Sequence, residues 1–193
     1  MEQNIDKLVE RYGQFEIRVR EQMERHCGPS CSQCRQVCCR SYYCVETRES
    51  IFLTRVMERF SKQTSWSSLS GWLSDRGCSL VAGRPPVCYE FLCHDITDAG
   101  FTGADCRHAL KVLSMLVTHA GRRVIGGRHL VTAISDFQLC RMNTKRFMAQ
   151  LDQAQAGLQA AMEVLNGRPL AAAALQRGAP LSWNDGQPIR RTM

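Results

Sequence analysis

Nine of the eleven cysteines lie between residues 27 and 93, in two groups whose spacing suits metal binding. The first group comprises Cys27, Cys31, Cys34, Cys38, Cys39 and Cys44, and the second comprises Cys78, Cys88 and Cys93. Thiolate sulfur is the ligand that both iron–sulfur clusters and structural zinc select. The C-x2-C pair of Cys31 and Cys34 predicts a tight turn that points two sulfurs at one centre. All nine cysteines are therefore candidate metal ligands.

The spacing favours an iron–sulfur cluster of the [4Fe–4S] type, with zinc as the alternative. Structural zinc sites use compact sets of four ligands in two regular pairs. This set is crowded and irregular and contains the adjacent pair Cys38–Cys39. One centre needs about four ligands, so the nine cysteines suffice for two centres, or for one centre with spare thiols. His26 and His94, each next to a cysteine of the set, are further candidates for a ligand or for an N–H donor beside one.

Two segments resemble the YkgJ-type, or CxxCxxCC, zinc- or iron-chelating domain family. CSQCRQVCC at residues 31–39 is similar to the early cluster of that family, and CSLVAGRPPVCYEFLC at residues 78–93 is similar to its later arm. The family has two residues before its CC pair, whereas this chain has three, which leaves Cys38 and Cys39 as alternative ligands. The resemblance implies metal binding. Some relatives are linked to flagellin lysine N-methylation.

Several residues near the two cysteine groups are interpreted as structural. The same holds for the two cysteines that lie outside those groups. Arg84 is expected to bond to loop carbonyls or to offset thiolate charge. The aromatic residues Trp66, Trp72 and Tyr89 are expected to fill the core or to shield a cluster. Cys106 and Cys140 have apolar neighbours on predicted helices and are expected to be small buried side chains.

Hydrophobic periodicity predicts a mainly α protein, in which a small helical domain frames an irregular cysteine-rich metal-binding loop region. Apolar residues at three- and four-residue steps predict helices over about 3–25, 47–60, 103–120 and 143–166, with a short helix near Leu130. No alternating strand pattern is evident. The domain is expected to cover residues 1–168, and residues 169–193 are expected to form a weakly ordered or partner-docked tail.

Glycine and proline are expected to end helices around the cysteines. Gly28-Pro29 should stop the first helix, and Gly83, Pro85 and Pro86 should keep residues 78–93 irregular. An irregular segment there would return the second cysteine group to the first.

The charge is uneven along the chain. Residues 1–100 hold 13 basic and 13 acidic side chains, whereas residues 101–193 hold 12 and 5, so the formal net charge of +7 belongs to the second part. We interpret the excess as a counter-field to an anionic thiolate site. The alternative, a nucleic-acid surface, has no accompanying motif. The chain has no apolar run long enough to span a bilayer. It is expected in the cytoplasm, where thiols stay reduced.

Three classes of function follow from this pattern. The favoured class is a binding protein whose iron–sulfur cluster serves electron transfer, sensing or metal handling, with a redox or other protein partner. The second is a zinc-stapled interaction module. The third is an enzyme, either a thiol-redox catalyst that uses Cys38 and Cys39 or a relative of the methylating proteins. It is least favoured, because the sequence contains neither a catalytic triad pattern nor a glycine-rich cofactor loop.

Overall fold

The computed structural model describes residues 2–33, 39–62, 64–74, 77–94, 96–97 and 103–167. It confirms the prediction of a mainly helical protein. The described helices are α1 (Glu2–Gln33), α2 (Cys44–Glu49), α3 (Ile51–Phe60), α4 (Val87–Glu90), α5 (Ala104–Ala120), α6 (Asp136–Cys140) and α7 (Thr144–Leu165). Single 3-10 turns lie at Ser41–Tyr43 and Leu130–Thr132. The predicted tail at 169–193 lies outside the described residues.

Helices α5 and α7 form the most extensive helix pair, α1 packs against both, and α3 packs against α1 and contacts α7 through Phe52. The core between them is apolar and includes an aromatic group formed by Tyr12, Phe52 and Phe147. The ring of Phe52 meets Tyr12 at a centroid distance of 5.2 Å and Phe147 at 5.8 Å, both nearly edge-on. All three side chains are buried. Such contacts add to the burial of apolar area, which stabilises the bundle.

Polar side chains begin several of these helices. Ser50 separates α2 from α3, and its hydroxyl accepts a hydrogen bond from the backbone N–H of Leu53. Asn143 caps α7 in the same way through Arg146. These caps satisfy N–H groups that have no partner in the first turn of a helix. The stretch from Thr47 to Phe60, predicted as one helix, is therefore two helices.

Helix α1 continues beyond its predicted end. It passes through Gly28 and Pro29 and ends at Gln33. Proline in a helix costs about 3 kcal/mol, because its ring lacks the N–H and crowds the preceding turn. The buried side chain of Cys27 packs into the core at this point, with Met23 packed against the same core. We attribute the continuation to that packing, which sequence periodicity does not report.

A small β-hairpin is the second departure from the prediction. Strand β1 (Leu73–Ser74) pairs antiparallel with β2 (Gly77–Cys78). The strands contain two residues each, too short for the alternating pattern by which strands are recognised. The hairpin places Cys78 close to Cys88. Among the described residues, none of the helices combines the length and the hydropathy that a bilayer-spanning segment needs.

Candidate functional site

Six of the described cysteines line one cavity of about 250 Å³, where the end of α1 meets the segment 39–44, the hairpin and α4. They are Cys27 and Cys31 on α1, Cys39 and Cys44 on the segment that follows, Cys78 on β2 and Cys88 on α4. The two cysteine groups thus meet in space, as the predicted return of residues 78–93 requires. Much of the remaining wall is apolar, with Leu80 and Ile96 among its residues.

Most of these cysteines do not lie in irregular loop, contrary to the expectation. Because α1 continues through Pro29, Cys27 and Cys31 lie one helical turn apart on the same face. Cys44 is the first residue of α2. Of the described cysteines among the nine candidate ligands, only Cys39 and Cys93 lie outside helices and strands. Secondary structure rather than loop therefore positions much of this cavity wall.

Glu16 of α1 holds the segment that carries Cys88. Its buried carboxylate accepts hydrogen bonds from the backbone N–H of Gly83, the backbone N–H of Arg84 and the hydroxyl of Tyr89, each at 2.8 Å. Burial raises the pKa of Glu16, and these donors oppose that shift. Glu16 was not among the functional residues predicted from the sequence. The sequence feature that could have identified Glu16 is its position on the apolar stripe of α1.

Two hydroxyl groups hold the same segment from the other side. The hydroxyl of Thr47 donates to the carbonyl of Gly83 at 2.8 Å, and that of Ser61 donates to the carbonyl of Ala82 at 3.0 Å. Gly83 has a φ of 84°, and a Cβ there would lie 2.8 Å from the carbonyl oxygen of Leu53. Only glycine fits this close approach to α3. The segment is therefore fixed by specific polar contacts and by backbone packing.

Arg84 confirms the prediction that it bonds to carbonyls of its own loop. Its Nε donates to the carbonyl of Leu80 at 3.0 Å, and its Nη2 donates to the carbonyls of Leu80 at 2.8 Å and Cys78 at 3.1 Å. Burial alone would lower the pKa of Arg84. The neighbouring Tyr89 and Cys78 outweigh burial, so the pKa is raised. A cation therefore stays at the cavity wall beside the thiols.

The buried thiols of the cavity are held in their neutral form. Burial raises the pKa of Cys27 to about 12, and the nearby Cys31 and Cys93 add to the effect. Burial also raises the pKa of Cys44. Cys88 is accessible at the cavity wall, yet the protein around its thiol raises that pKa as well, with Cys78 adding to the shift. Low-pKa cysteines are the reactive ones, so these three thiols are poor nucleophiles in the metal-free chain.

Aromatic side chains surround the cavity. The rings of Tyr43 and Phe91, which line it, lie 5.6 Å apart. Tyr42 stacks on Tyr43 at 4.3 Å and is 64% exposed.

On the opposite side, Trp72 is buried against Cys44 and Leu80, and Trp66 packs on Trp72 at 4.6 Å. A Cβ at Gly71 would lie 2.7 Å from the sulfur of Cys44, so glycine is needed there too. The expectation that Trp72 and Tyr89 are buried is confirmed.

The remaining predicted residues differ in their placement. Cys93 is half-buried and packs against the core, close enough to Cys27 to affect its pKa. Cys34 and Cys38 lie outside the described residues. Cys106 is half-buried against the core, but Cys140 is exposed, contrary to prediction. The short α6 directs Leu139 rather than Cys140 into the core.

The described thiols surround a space instead of converging on one point. Within the described ranges, no group of three or more His, Cys, Asp or Glu side chains is arranged so that it could hold a single metal ion. Because Cys34 and Cys38 lie outside those ranges, the described residues contain only part of the predicted ligand set. The metal site therefore stays a prediction.

Comparisons of this chain with protein-family models, with curated proteins and with solved structures found no match. The resemblance of residues 31–39 and 78–93 to the CxxCxxCC family therefore remains an expectation from those residues alone.

Proposed function

We propose that the chain binds an iron–sulfur cluster of the [4Fe–4S] type in the cysteine-lined cavity and uses it for electron transfer, sensing or metal handling with a redox partner protein. The observation that carries this proposal is the position of six described cysteines, from both groups of the sequence, around one cavity of about 250 Å³. The ligands would be thiolates from this set together with Cys34, and Cys38 is the alternative to Cys39. When bound, such a cluster supplies one-electron chemistry.

The shape of the site supports a cluster over a single zinc ion. Zinc draws four sulfurs to about 2.3 Å from one point, and so needs little space between them. A cluster places several irons and sulfides between its thiolates, and therefore occupies a space of its own. The described thiols line such a space.

The pKa values of the cavity thiols support a metal-containing occupant. The thiols of Cys27, Cys44 and Cys88 have raised pKa values because desolvation by the surrounding protein disfavours the thiolate. Metal ions bind the thiolate form and release its proton, so iron would stabilise the thiolates that desolvation disfavours here. The same raised pKa values argue against these residues as thiol-redox catalysts. A cytoplasmic location, where thiols stay reduced, suits this use of cysteine.

Iron and acid-labile sulfide analysis tests the proposal, on the full chain purified without oxygen. We expect iron and sulfide in equal amounts, with a broad absorption band near ~400 nm that bleaches on reduction, as thiolate-bound iron–sulfur clusters show. Zinc without sulfide would overturn the proposal and leave a zinc-stapled interaction module. A chain with neither metal nor sulfide would also overturn it.

A further inference from the structure

The side chain of Arg20, on α1, lines the cysteine cavity, and its guanidinium is held differently from that of Arg84. The residue lines the cavity together with Arg84 and Arg40, and Glu24 is the acidic residue of the described lining. The Nη2 of Arg20 pairs with Glu24 at 2.7 Å. Its Nε is buried, and no hydrogen-bond acceptor for it is found among the described residues.

A buried N–H group without an acceptor costs free energy, and native proteins rarely leave one in that state. The donor belongs to a cation, which strengthens the preference for an anionic acceptor. Arg84 differs in this respect, because its Nε and Nη2 already bond to the carbonyls of Leu80 and Cys78. Arg20 therefore lies at the cavity wall with a buried Nε–H donor for which the described residues supply no acceptor.

We infer that Arg20 donates its Nε–H to a thiolate or sulfide sulfur of the cluster and thereby sets the reduction potential of the centre. This inference rests on the proposed function. Reduction adds one electron, delivered by the redox partner, and makes the cluster more negative. A charged hydrogen-bond donor stabilises the more negative state more strongly, and hydrogen bonds to cluster sulfurs are among the features that set such potentials. Arg20 is in this sense a tuning residue, not a ligand.

The test compares two substitutions that remove the same charge from the same helix. Arg20→Gln removes the donor at the cavity, whereas Arg18→Gln removes an exposed arginine. Iron content, sulfide content and the midpoint potential are measured on each full-length protein without oxygen. We expect the Arg20→Gln cluster to lose about tenfold in its preference for the reduced state, a midpoint about 59 mV more negative for one electron. The Arg18→Gln midpoint should stay near that of the unmodified protein.

Arg20→Lys separates the hydrogen bond from the charge, because lysine keeps the charge but has no Nε–H of a planar guanidinium. We expect its midpoint to fall as well. If Arg20→Gln loses its cluster, the midpoint potential of Arg20→Lys tests the inference instead. A midpoint in Arg20→Lys equal to that of the unmodified protein would overturn the hydrogen-bond assignment.

Equal midpoints in Arg20→Gln and Arg18→Gln, with full iron and sulfide in both, would overturn the inference and leave the proposed function standing. Absence of iron and sulfide from the unmodified protein would overturn the proposed function and the inference together.

Discussion

The helical core and the cysteine arm of this protein are held together by different forces. The helical core consists of α1, α3, α5 and α7, and its interior is apolar, with Phe52 and Phe147 at its centre. The cysteine arm, residues 77–93, is held by backbone hydrogen bonds that Glu16 accepts and that Thr47 and Ser61 donate. Apolar burial tolerates many sequences, whereas each hydrogen bond depends on one donor and one acceptor. The arm is thus the part of the molecule that single polar substitutions should disturb.

The largest effect is expected from removing two predicted ligands. The double substitution Cys34→Ala and Cys88→Ala should abolish iron binding, because a cluster needs about four thiolates. The far-UV helical signal should largely remain, since apolar burial holds the helical core. Iron analysis and circular dichroism measure the two results.

The matched control is Cys106→Ala with Cys140→Ala, which changes two cysteines that are not among the residues lining the cavity. Full iron content in the Cys34/Cys88 variant would show that the ligand set is wrong. Loss of the helical signal along with the iron would show that the core depends on the metal.

Removing a ring from the helical core should cost the most folding free energy. Phe147→Ala deletes a fully buried side chain and should lower the free energy of unfolding by about 3–5 kcal/mol. Urea denaturation measures the change. Phe137→Ala is the control, because Phe137 is 71% exposed and should change stability by no more than about 0.5 kcal/mol. Similar losses in the two variants would contradict the assignment of the core.

A substitution of Glu16 should affect the arm more than the core. Glu16→Ala leaves the N–H groups of Gly83 and Arg84 and the hydroxyl of Tyr89 without their acceptor, and should cost about 1–3 kcal/mol. Iron content should fall as well, because Cys88 lies between Arg84 and Tyr89 in the arm. Urea denaturation and iron analysis measure the two effects.

Glu16→Gln keeps an acceptor oxygen in place and should lose less of both quantities. If both Glu16 variants kept normal stability and iron content, the hydrogen bonds of Glu16 would not be what positions the arm.

The smallest effect concerns the pH dependence of the core. Burial between α5 and α7 lowers the pKa of His119, although its hydrogen bond with Gln153 opposes the shift. At pH values below the ordinary histidine pKa of about 6.5, the unfolded chain therefore binds more protons than the folded one. His119 should thus reduce stability as the pH falls through that value, with no contribution at higher pH.

Urea denaturation at several pH values tests this contribution. His119→Gln should flatten the profile between about pH 5 and 7. His108→Gln, which changes an exposed residue of the same helix, is the matched surface control. A steeper slope in His119→Gln would contradict the direction of the shift.

The strongest sequence predictions concern elements that depend on local pattern. Helices were predicted over 103–120 and 143–166, and α5 and α7 match these ranges within one residue at each end. Their apolar residues recur at helical spacing, and Gly121 and Asn166 mark their ends. The end of α1 was predicted wrongly, because proline was expected to stop the helix at Pro29. We attribute its continuation to the packing of Cys27 into the core. The hairpin was missed because two-residue strands carry too little pattern.

By itself, the sequence determined that the protein is mainly helical and that its cysteines fall into two groups with metal-ligand spacing. Helical periodicity and close cysteine spacing are local properties, so the order of residues is sufficient to read them. Only the tertiary structure decided that Cys27 and Cys88 share a cavity, that Glu16 holds Gly83 and that Arg20 lies at the same wall. Such contacts join residues about sixty positions apart or more, and the packing of whole helices, which no local pattern encodes, selects them.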